Sequence, residues 1–298
     1  MLMLKFNLIN MKAKSLFFLF LFLSFKVVAQ ENLLSLLNEK NETEYASYIF
    51  KGTKIVNGQS VEITSKNELK FNIQHRFGPI NSGFYNLYGL DYAQVRFSFD
   101  YGVYNWMAIG IGRSSVSKTL DGNIKIKLIR QSKGNKNFPL TVVVNSASYL
   151  NQYTFEDRKK SSFLFTNQLI YSHQILIARK VNRDFSVQVS PTFIHYNLID
   201  NSSRQSNDNI SIGIGCRYKL SNRVSVNAET FPQIYNSMND NVLSFGFDIE
   251  TGGHVFQLHL SNSPAMIEPI FITETISNFF NGNIYFGFNI SRVFTIKN

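Results

Sequence analysis

The sequence predicts an all-β protein, a closed antiparallel up-and-down transmembrane β-barrel that follows a cleaved signal peptide. Three observations support this prediction: apolar and polar residues alternate along most of the chain, short and long connections alternate between these segments, and an export signal precedes them. A pleated strand directs successive side chains to opposite faces, so each such segment has one apolar and one polar face. Together with export, this pattern is typical of barrels in the bacterial outer membrane.

Residues 11–29 have the complete organisation of a signal peptide, which leaves Met1 and Met11 as alternative starts. A short basic stretch precedes residues 15–25, which are almost all Leu and Phe, and a small-residue site follows, with cleavage predicted between Ala29 and Gln30. A membrane-spanning helix needs about 20 apolar residues, so this shorter run disfavours the alternative of a membrane anchor. We therefore predict a signal peptide at 1–29, an N-terminal leader at 30–44 and a barrel domain at 45–298.

Twelve segments are candidate membrane strands with this alternation, although 140–144 follows it less cleanly and 163–178 is mixed. In the last and clearest, 283–291, four apolar side chains share one face, and polar or small ones share the other. The twelve segments are 69–77, 95–101, 107–112, 124–128, 140–144, 163–178, 185–190, 210–217, 224–229, 243–250, 256–260 and 283–291. Twelve strands is the prediction because bacterial barrels have an even number.

One further segment, 45–56, also looks extended and ends in the turn signal Asn57-Gly58. It would make the number of strands odd, so we either exclude it or pair it with residues 270–275, which gives the alternative of fourteen strands. The connections between the segments alternate in length, as do the short periplasmic turns and long external loops of outer-membrane barrels. The short links are 102–104, 181–184, 220–223 and 251–253, and the long ones are 78–91, 151–161, 199–208 and 261–282.

Composition argues against several classes of function. The whole chain has a formal charge of +10, and the predicted signal peptide holds four Lys and no acid, which leaves about +6 on the mature chain. The excess of basic residues forms no block with interleaved aromatic residues, so we expect no nucleic-acid partner. Cys216 is the only cysteine, which excludes an intramolecular disulfide, and the five histidines have no metal-ligand spacing. We expect neither a metal nor a cofactor.

Four segments, taken together, are similar to a known family. They are His75-Arg76-Phe77-Gly78, Leu87-Tyr88-Gly89-Leu90-Asp91, Gly110-Ile111-Gly112-Arg113-Ser114-Ser115 and Gly287-Phe288-Asn289-Ile290-Ser291-Arg292-Val293-Phe294. In this order, over roughly residues 45–294, the chain resembles the membrane β-barrel family labelled domain of unknown function 5777. The resemblance implies an outer-membrane barrel and carries over no activity, catalytic residue or ligand residue. Barrels often end on an aromatic residue, whereas here residues 295–298 follow Phe294.

The polar faces of the predicted strands carry the candidate functional residues. The basic ones are Lys70, Arg76, Arg96, Lys125, Lys127, Arg217 and Lys219, and the acidic ones are Asp100, Glu229, Asp248 and Glu250. Closure of the barrel brings the acidic C-terminal strands against the basic N-terminal ones. One interpretation is a transverse field across a narrow pore that selects small charged solutes. The other is that opposite charges pair across the lumen and close it, since a charge removed from water needs a partner.

Two further features of the sequence give little support for a binding or catalytic site. The Gly-x-Gly pairs at Gly110/Gly112 and Gly213/Gly215 lie inside predicted strands with no helix after them, which disfavours a phosphate-binding loop. An inward-facing glycine instead allows close approach of a plug, a loop or a neighbouring side chain. A lipid-acting enzyme needs a Ser, a His and an orienting polar group on the lipid face, but the serines fall mostly on the inward face. No catalytic residue is assigned.

These patterns predict an outer-membrane protein that is a passive pore or transport component for small solutes and has no enzymatic activity. A structural or scaffolding barrel, whose lumen is closed by salt bridges, is the alternative, and a barrel enzyme that acts on lipid is less favoured. The expected partners are outer-membrane lipid and small solutes, and the sequence identifies no protein partner.

Overall fold

The structure is a computed structural model that describes residues 42–152, 163–199, 206–235 and 239–296. The predicted signal peptide, its cleavage site at Ala29 and Gln30, and the leader up to residue 41 lie outside the described residues. These features therefore stay predictions. All elements described below belong to one compact unit, Thr43–Asn298.

Twelve antiparallel strands form the wall of a closed barrel, and a short additional strand, Gln233–Tyr235, pairs with Ile210 and Ser211 of one of them. The twelve wall strands are β1 (Glu68–Pro79), β2 (Ala93–Tyr104), β3 (Met107–Ser114), β4 (Leu120–Ile129), β5 (Thr141–Leu150), β6 (Leu169–Lys180), β7 (Phe185–Tyr196), β8 (Asp208–Lys219), β9 (Val224–Thr230), β10 (Leu243–Thr251), β11 (His254–Ser261) and β12 (Tyr285–Thr295). Each strand pairs with the next, and β12 pairs with β1 from Tyr285 opposite Pro79 to Thr295 opposite Glu68, which closes the sheet. The predicted twelve-stranded up-and-down barrel is confirmed.

The alternative of fourteen strands is wrong. Residues 270–275 overlap a short helix, α1 (Glu268–Thr273), which tolerates Pro269 because the first turn of a helix needs no donor there. From the segment 45–56, only Tyr45 is in a strand: Glu44–Tyr45 pairs with Ser132–Lys133 outside the barrel sheet. A closed barrel has no edge that either segment could join.

The wall is polar inside and apolar outside. On β8, Ser211 and Arg217 are buried, whereas Ile210 and Ile214 are exposed on the opposite face. This arrangement places apolar side chains against lipid, as a membrane barrel requires. Among the described residues, no helix has the length and apolar character needed to cross a membrane.

The two ends of the barrel differ in their connections. One end, which we call the turn end, carries the short links 105–106, 181–184, 220–223 and 252–253, together with the start of β1 and the end of β12. The opposite end, the loop end, carries the longer links 80–92, 151–168, 197–207, 231–242 and 262–284. Two links depart from the predicted alternation: 130–140 is long at the turn end, where it pairs with Glu44–Tyr45, and 115–119 is short at the loop end.

The lumen contains a hairpin that the chain forms just before β1. We call residues 46–64 the lumen hairpin. It reverses at residues 55–58, where the Ile55 N–H donates to the Gly58 carbonyl at 2.8 Å and the Ser60 N–H donates to the Thr53 carbonyl at 3.0 Å. The predicted Asn57-Gly58 turn therefore exists, but inside the barrel and not between wall strands.

Apolar side chains of the lumen hairpin pack against the wall. Ile49, Phe50 and Ile55 form a cluster with inward-facing Val143 of β5 and Leu176 of β6, and each of the five is at most 3% exposed. Burial of such side chains typically contributes about 1.5–3 kcal/mol each. The hairpin is thus held in place by a buried apolar layer as well as by polar contacts.

A second segment closes the lumen from the loop end. Residues 262–278, which we call the inward loop, include α1 and bury Phe271 and Ile272 completely. Phe271 meets Phe231 edge-to-face with ring centroids 5.2 Å apart, inside a larger cluster that includes Ile194 of β7. The hairpin and the inward loop together fill the middle and the loop end of the barrel.

The segment that joins the lumen hairpin to β1 runs in backbone contact with β2. Lys66 bridges to Gly102, and a Cβ at Gly102 would lie 1.8 Å from the Ser65 carbonyl oxygen. We expect Gly102→Ala to displace this segment and to destabilise the protein by about 1–3 kcal/mol, as overpacking does. Thermal unfolding in detergent measures the loss. Gly122→Ala is the matched control, because its nearest neighbour would be 3.8 Å away, and equal unfolding temperatures for both variants would contradict the assigned contact.

Candidate functional site

Glu229 of β9 binds the tip of the lumen hairpin. Its carboxylate accepts from the Asn57 N–H at 2.6 Å, and from the N–H groups of Val56 and Gly58 at 3.1 Å each. Glu229 is 2% exposed, so these bonds form away from water. Successive backbone amides make a concavity that favours an anion, and a hydrogen bond to a charged group contributes about 1.5–3 kcal/mol. The wall carboxylate therefore holds the turn.

Lys125 of β4 binds both arms of the hairpin. Its ammonium donates to the carbonyl oxygens of Thr53 at 2.9 Å, Ser60 at 3.0 Å and Glu62 at 3.3 Å. These three contacts match the three donors of an ammonium group. Lys125 is 4% exposed, and a buried cation with all donors satisfied is fixed in place.

Two arginines of the wall bind the lumen hairpin, and one of them also binds the inward loop. Arg217 of β8 donates one terminal nitrogen to the carbonyl oxygens of Tyr48 at 2.9 Å and Ile49 at 3.2 Å. Arg76 of β1 donates to the Asn57 side-chain oxygen at 2.7 Å and, through its other terminal nitrogen, to the Ser263 carbonyl. Arg76 thus connects the hairpin to the inward loop.

Neutral amides complete the contact between wall and hairpin. Gln188 of β7 donates to the Gln59 carbonyl at 2.7 Å and accepts from the Val61 N–H at 2.9 Å. Gln257 of β11 donates to the Ile55 carbonyl at 2.5 Å, and Asn289 of β12 donates to the Val56 carbonyl at 3.1 Å. The alternation places these amides on inward faces, but a prediction restricted to charged residues omits them.

The predicted salt bridges across the lumen do not occur among the described residues. Arg96 instead pairs with Asp121 of nearby β4 at 2.5 Å, and Asp121 was not among the predicted residues. Asp248 accepts from Asn227 and Gln257 at 2.6 Å each. The hairpin separates opposite walls, so Arg96 and Asp248 find their partners on nearby strands of the same side.

The other predicted charges have more local surroundings. Asp100 accepts from Asn72 at 2.8 Å, and the Lys70 ammonium donates to the Thr53 hydroxyl at 3.3 Å. Glu250 forms an ion pair with Lys51 of the hairpin. Lys127 and Lys219 are half-buried near the turn end of β4 and β8.

Glu268 of α1 joins the inward loop to the lumen hairpin. Its carboxylate lies 3.2 Å from the Lys54 ammonium and accepts from Gln59 at 2.8 Å and from the Tyr149 hydroxyl at 2.6 Å. Burial alone would raise the pKa of Glu268, but the Lys54 charge, the Tyr149 hydrogen bond and the Arg96 charge together lower it to about 2. The carboxylate therefore stabilises the closed lumen as an anion.

The contact at Glu268 should weaken in acid. Its pKa in the folded protein lies below the ordinary value of 4.5, so its contribution is complete above about pH 4.5 and is lost as the pH falls towards 2. By linkage, the shift corresponds to about 3 kcal/mol. We expect unfolding temperatures between pH 6 and pH 3 to fall more for the wild type than for Glu268→Gln. Parallel curves for the two proteins would show that this carboxylate does not stabilise the fold.

Ser146 and His173 form a polar pair on the outer face. Ser146 Oγ lies 2.9 Å from His173 Nδ1 across β5 and β6. A nucleophilic serine needs a base that a third group orients. In the described part of the chain no hydrogen bond orients the other ring nitrogen of His173. This part of the chain also has no group of three or more His, Cys, Asp or Glu residues that could hold a metal ion.

Comparisons with known proteins identify a family and several similar solved structures. The family model described as membrane bound beta barrel domain, domain of unknown function 5777, matches residues 50–294. No curated protein matches the sequence. The chain is also similar to solved structures, among them a KdgM porin, the COG4313 outer membrane channel from Pseudomonas putida F1, and LpxR from Salmonella typhimurium.

The KdgM porin is 6% identical, with a TM-score of 0.46 over 76% of this chain and 99% of that chain. The Pseudomonas channel is 12% identical, with a TM-score of 0.40 over 78% and 97%, and LpxR is 9% identical, with a TM-score of 0.36 over 76% and 99%. Likeness at this level carries no functional argument. The family match is of another kind, because it spans the wall and most of the lumen hairpin: the chain belongs to the membrane-bound β-barrel family labelled domain of unknown function 5777.

Proposed function

We propose that this protein is an outer-membrane channel for small solutes that its own lumen hairpin holds closed. The observation that carries the proposal is that a segment of the chain fills the lumen through hydrogen bonds and apolar packing, which can break and re-form. The predicted export signal and the membrane-barrel family support the location. The polar inner wall supports a channel, since water-filled barrels of this kind have polar interiors.

Barrel size supports the same proposal. Side chains alone fill an eight-stranded barrel, whereas barrels of 16–18 strands leave an aqueous channel. The present twelve-stranded barrel lies between these sizes, and backbone of the hairpin occupies its centre in addition to side chains. Withdrawal of residues 46–64 would therefore leave space that the wall side chains do not fill. It would also remove the contacts of Lys54 and Gln59 with Glu268, so the inward loop loses its hold on the hairpin and the proposal includes its displacement from the loop end.

A planar-bilayer measurement tests the proposal. Residues 48–62 are replaced by a Gly/Ser linker of equal length, so that the chain keeps its connection but loses the contacts of the hairpin. We expect a steady open current from this variant and only rare openings from the wild type. Replacement of residues 84–88, an exposed loop at the loop end, by the same composition is the control and should leave the wild-type behaviour. A folded hairpin variant that passes no current would overturn the proposal.

A structural barrel with a permanently filled lumen is the second candidate. The apolar cluster between the hairpin and Val143 and Leu176 favours it, because a water-filled pore would expose these wall side chains. The same current measurement separates the two candidates. A variant without the hairpin that aggregates or fails to fold, while the wild type never opens, supports the structural role.

A lipid-acting enzyme is the third candidate, and the Ser146–His173 pair on the outer face is the observation that favours it. The test is release of fatty acid from phospholipid vesicles by the purified barrel and by Ser146→Ala. Hydrolysis by the wild type that the substitution abolishes would support an enzyme. Absence of hydrolysis by both proteins would remove this candidate.

A further inference from the structure

The basic residues of the wall depend more on the lumen hairpin for hydrogen-bond partners than the acidic residues do. Among the described residues, Lys125 donates to carbonyl groups of the hairpin alone, and one terminal nitrogen of Arg217 donates to the carbonyl oxygens of Tyr48 and Ile49. Lys70 donates to Thr53 of the hairpin. Withdrawal of the hairpin would therefore free these cations to face the lumen.

The acids of the wall mostly keep their partners. Asp121 stays paired with Arg96, Asp248 stays hydrogen-bonded to Asn227, and Asp100 stays hydrogen-bonded to Asn72. All these partners belong to the wall. Of these three acids only Asp121 is neutralised, by Arg96, whereas Asp248 and Asp100 keep their negative charge. Outside Arg96, the predicted lumen-facing charges are still six basic residues against four acidic ones, so the lining stays basic when these acids are counted.

Two acids are exceptions. Glu229 would lose the three backbone amides of the hairpin tip, and Glu250 would lose Lys51. The Glu250 side chain is 41% exposed near the turn end, so water and salt screen its charge. Four cations of the described wall, including Arg76, would lose hairpin partners against these two acids.

We propose that the passage opened by withdrawal of the lumen hairpin selects small anions; this inference rests on the proposed function. The cations lie on β1, β4 and β8, so they face the passage from different sides. Ammonium and guanidinium groups bind inorganic anions and small carboxylates through charge-assisted hydrogen bonds. A lining with one dominant sign concentrates the opposite ion in a narrow pore. The same cations therefore bind the hairpin in the closed barrel and the solute in the open one.

Reversal potentials in a potassium chloride gradient test this inference. The variant with the Gly/Ser linker at 48–62 provides the open barrel. We expect chloride to permeate more readily than potassium by on the order of tenfold at low salt, the lower end of the enrichment that a lining of one sign produces. The ratio should fall towards one at high salt, where charges are screened within about 3 Å.

Substitutions made in the linker variant identify the residues that select the anion. Lys125→Gln and Arg217→Gln should each lower the chloride-to-potassium ratio, and the double variant should bring it near one. Arg113→Gln is the matched control, because Arg113 is an exposed cation in strand β3 on the outer face of the barrel. A drop in selectivity for Arg113→Gln equal to that for Lys125→Gln would contradict the assigned lining.

The outcomes separate this inference from the function on which it rests. No current from the folded linker variant overturns the channel itself. A current that prefers potassium, or that shows no preference at low salt, leaves the channel standing and overturns the anion selectivity.

Discussion

Replacement of Phe288 by arginine should abolish insertion of the barrel. Phe288 lies on the outer face of β12 and stacks on His75 of β1 with ring centroids 4.9 Å apart. A cation on the lipid face costs about 2–4 kcal/mol at the middle of the membrane. The substitution also removes the aromatic pair across the two strands that close the barrel. We expect the heat-modifiable band of the folded barrel to disappear from the membrane fraction.

Two control variants separate charge from position. Phe288→Leu keeps an apolar side chain and should insert normally. Asn289→Leu changes the adjacent residue, whose side chain points inward to Val56 and Gln257, so it should insert although it weakens the hold on the hairpin. Normal insertion of Phe288→Arg together with failure of Asn289→Leu would mean that the inner and outer faces are reversed.

The wall strands could be predicted from the sequence because the alternation that marks them is a property of adjacent residues. Successive residues such as Phe288 and Asn289 differ in polarity, and lipid and lumen impose this difference on every strand. The number of strands followed from counting the alternating segments. The prediction failed for residues 270–275, where β-branched side chains suggest a strand. A proline in the first turn and burial inside the lumen produce helix α1 instead.

The content of the lumen could not be predicted in this way. The hairpin makes its contacts with wall residues that are far away in sequence, such as Gln257 with Ile55, and several of its partners are backbone atoms. Backbone amides and carbonyls are the same in every sequence and leave no pattern. Two signals were nevertheless present: apolar Val143 and Leu176 at inward positions, and inward Gly215, where a Cβ would lie 2.4 Å from Ile55.

The charged residues show the same division. The alternation predicts an inward position for Glu229, and the structure places it there, 2% exposed. The predicted partner was a cation across the lumen, whereas the actual partners are three amides of the hairpin. The inward position of Glu229 follows from the alternation along β9. Its hydrogen-bond partners belong to the lumen hairpin, which has no such alternation.

Replacement of Glu229 by alanine should release the tip of the hairpin and open the barrel. The change leaves the N–H groups of Val56, Asn57 and Gly58 buried without their acceptor, and each such loss costs about 1–3 kcal/mol. The tip keeps its bonds to Arg76, Gln257 and Asn289, but the three amides without an acceptor favour a displaced turn in which water reaches them. We expect frequent or steady openings in planar bilayers and faster protease cleavage within residues 46–64.

Graded variants make the test specific. Glu229→Gln keeps one acceptor oxygen and should open less often than Glu229→Ala, whereas Asp91→Ala, which removes an exposed loop carboxylate, should behave as the wild type. If Glu229→Ala stays closed while the linker variant conducts, the hairpin is held by Lys125, Arg217 and the apolar layer without the tip. If both Glu229→Ala and the linker variant conduct, the carboxylate at the tip is the contact whose loss opens the lumen, because the rest of the hairpin is unchanged in Glu229→Ala.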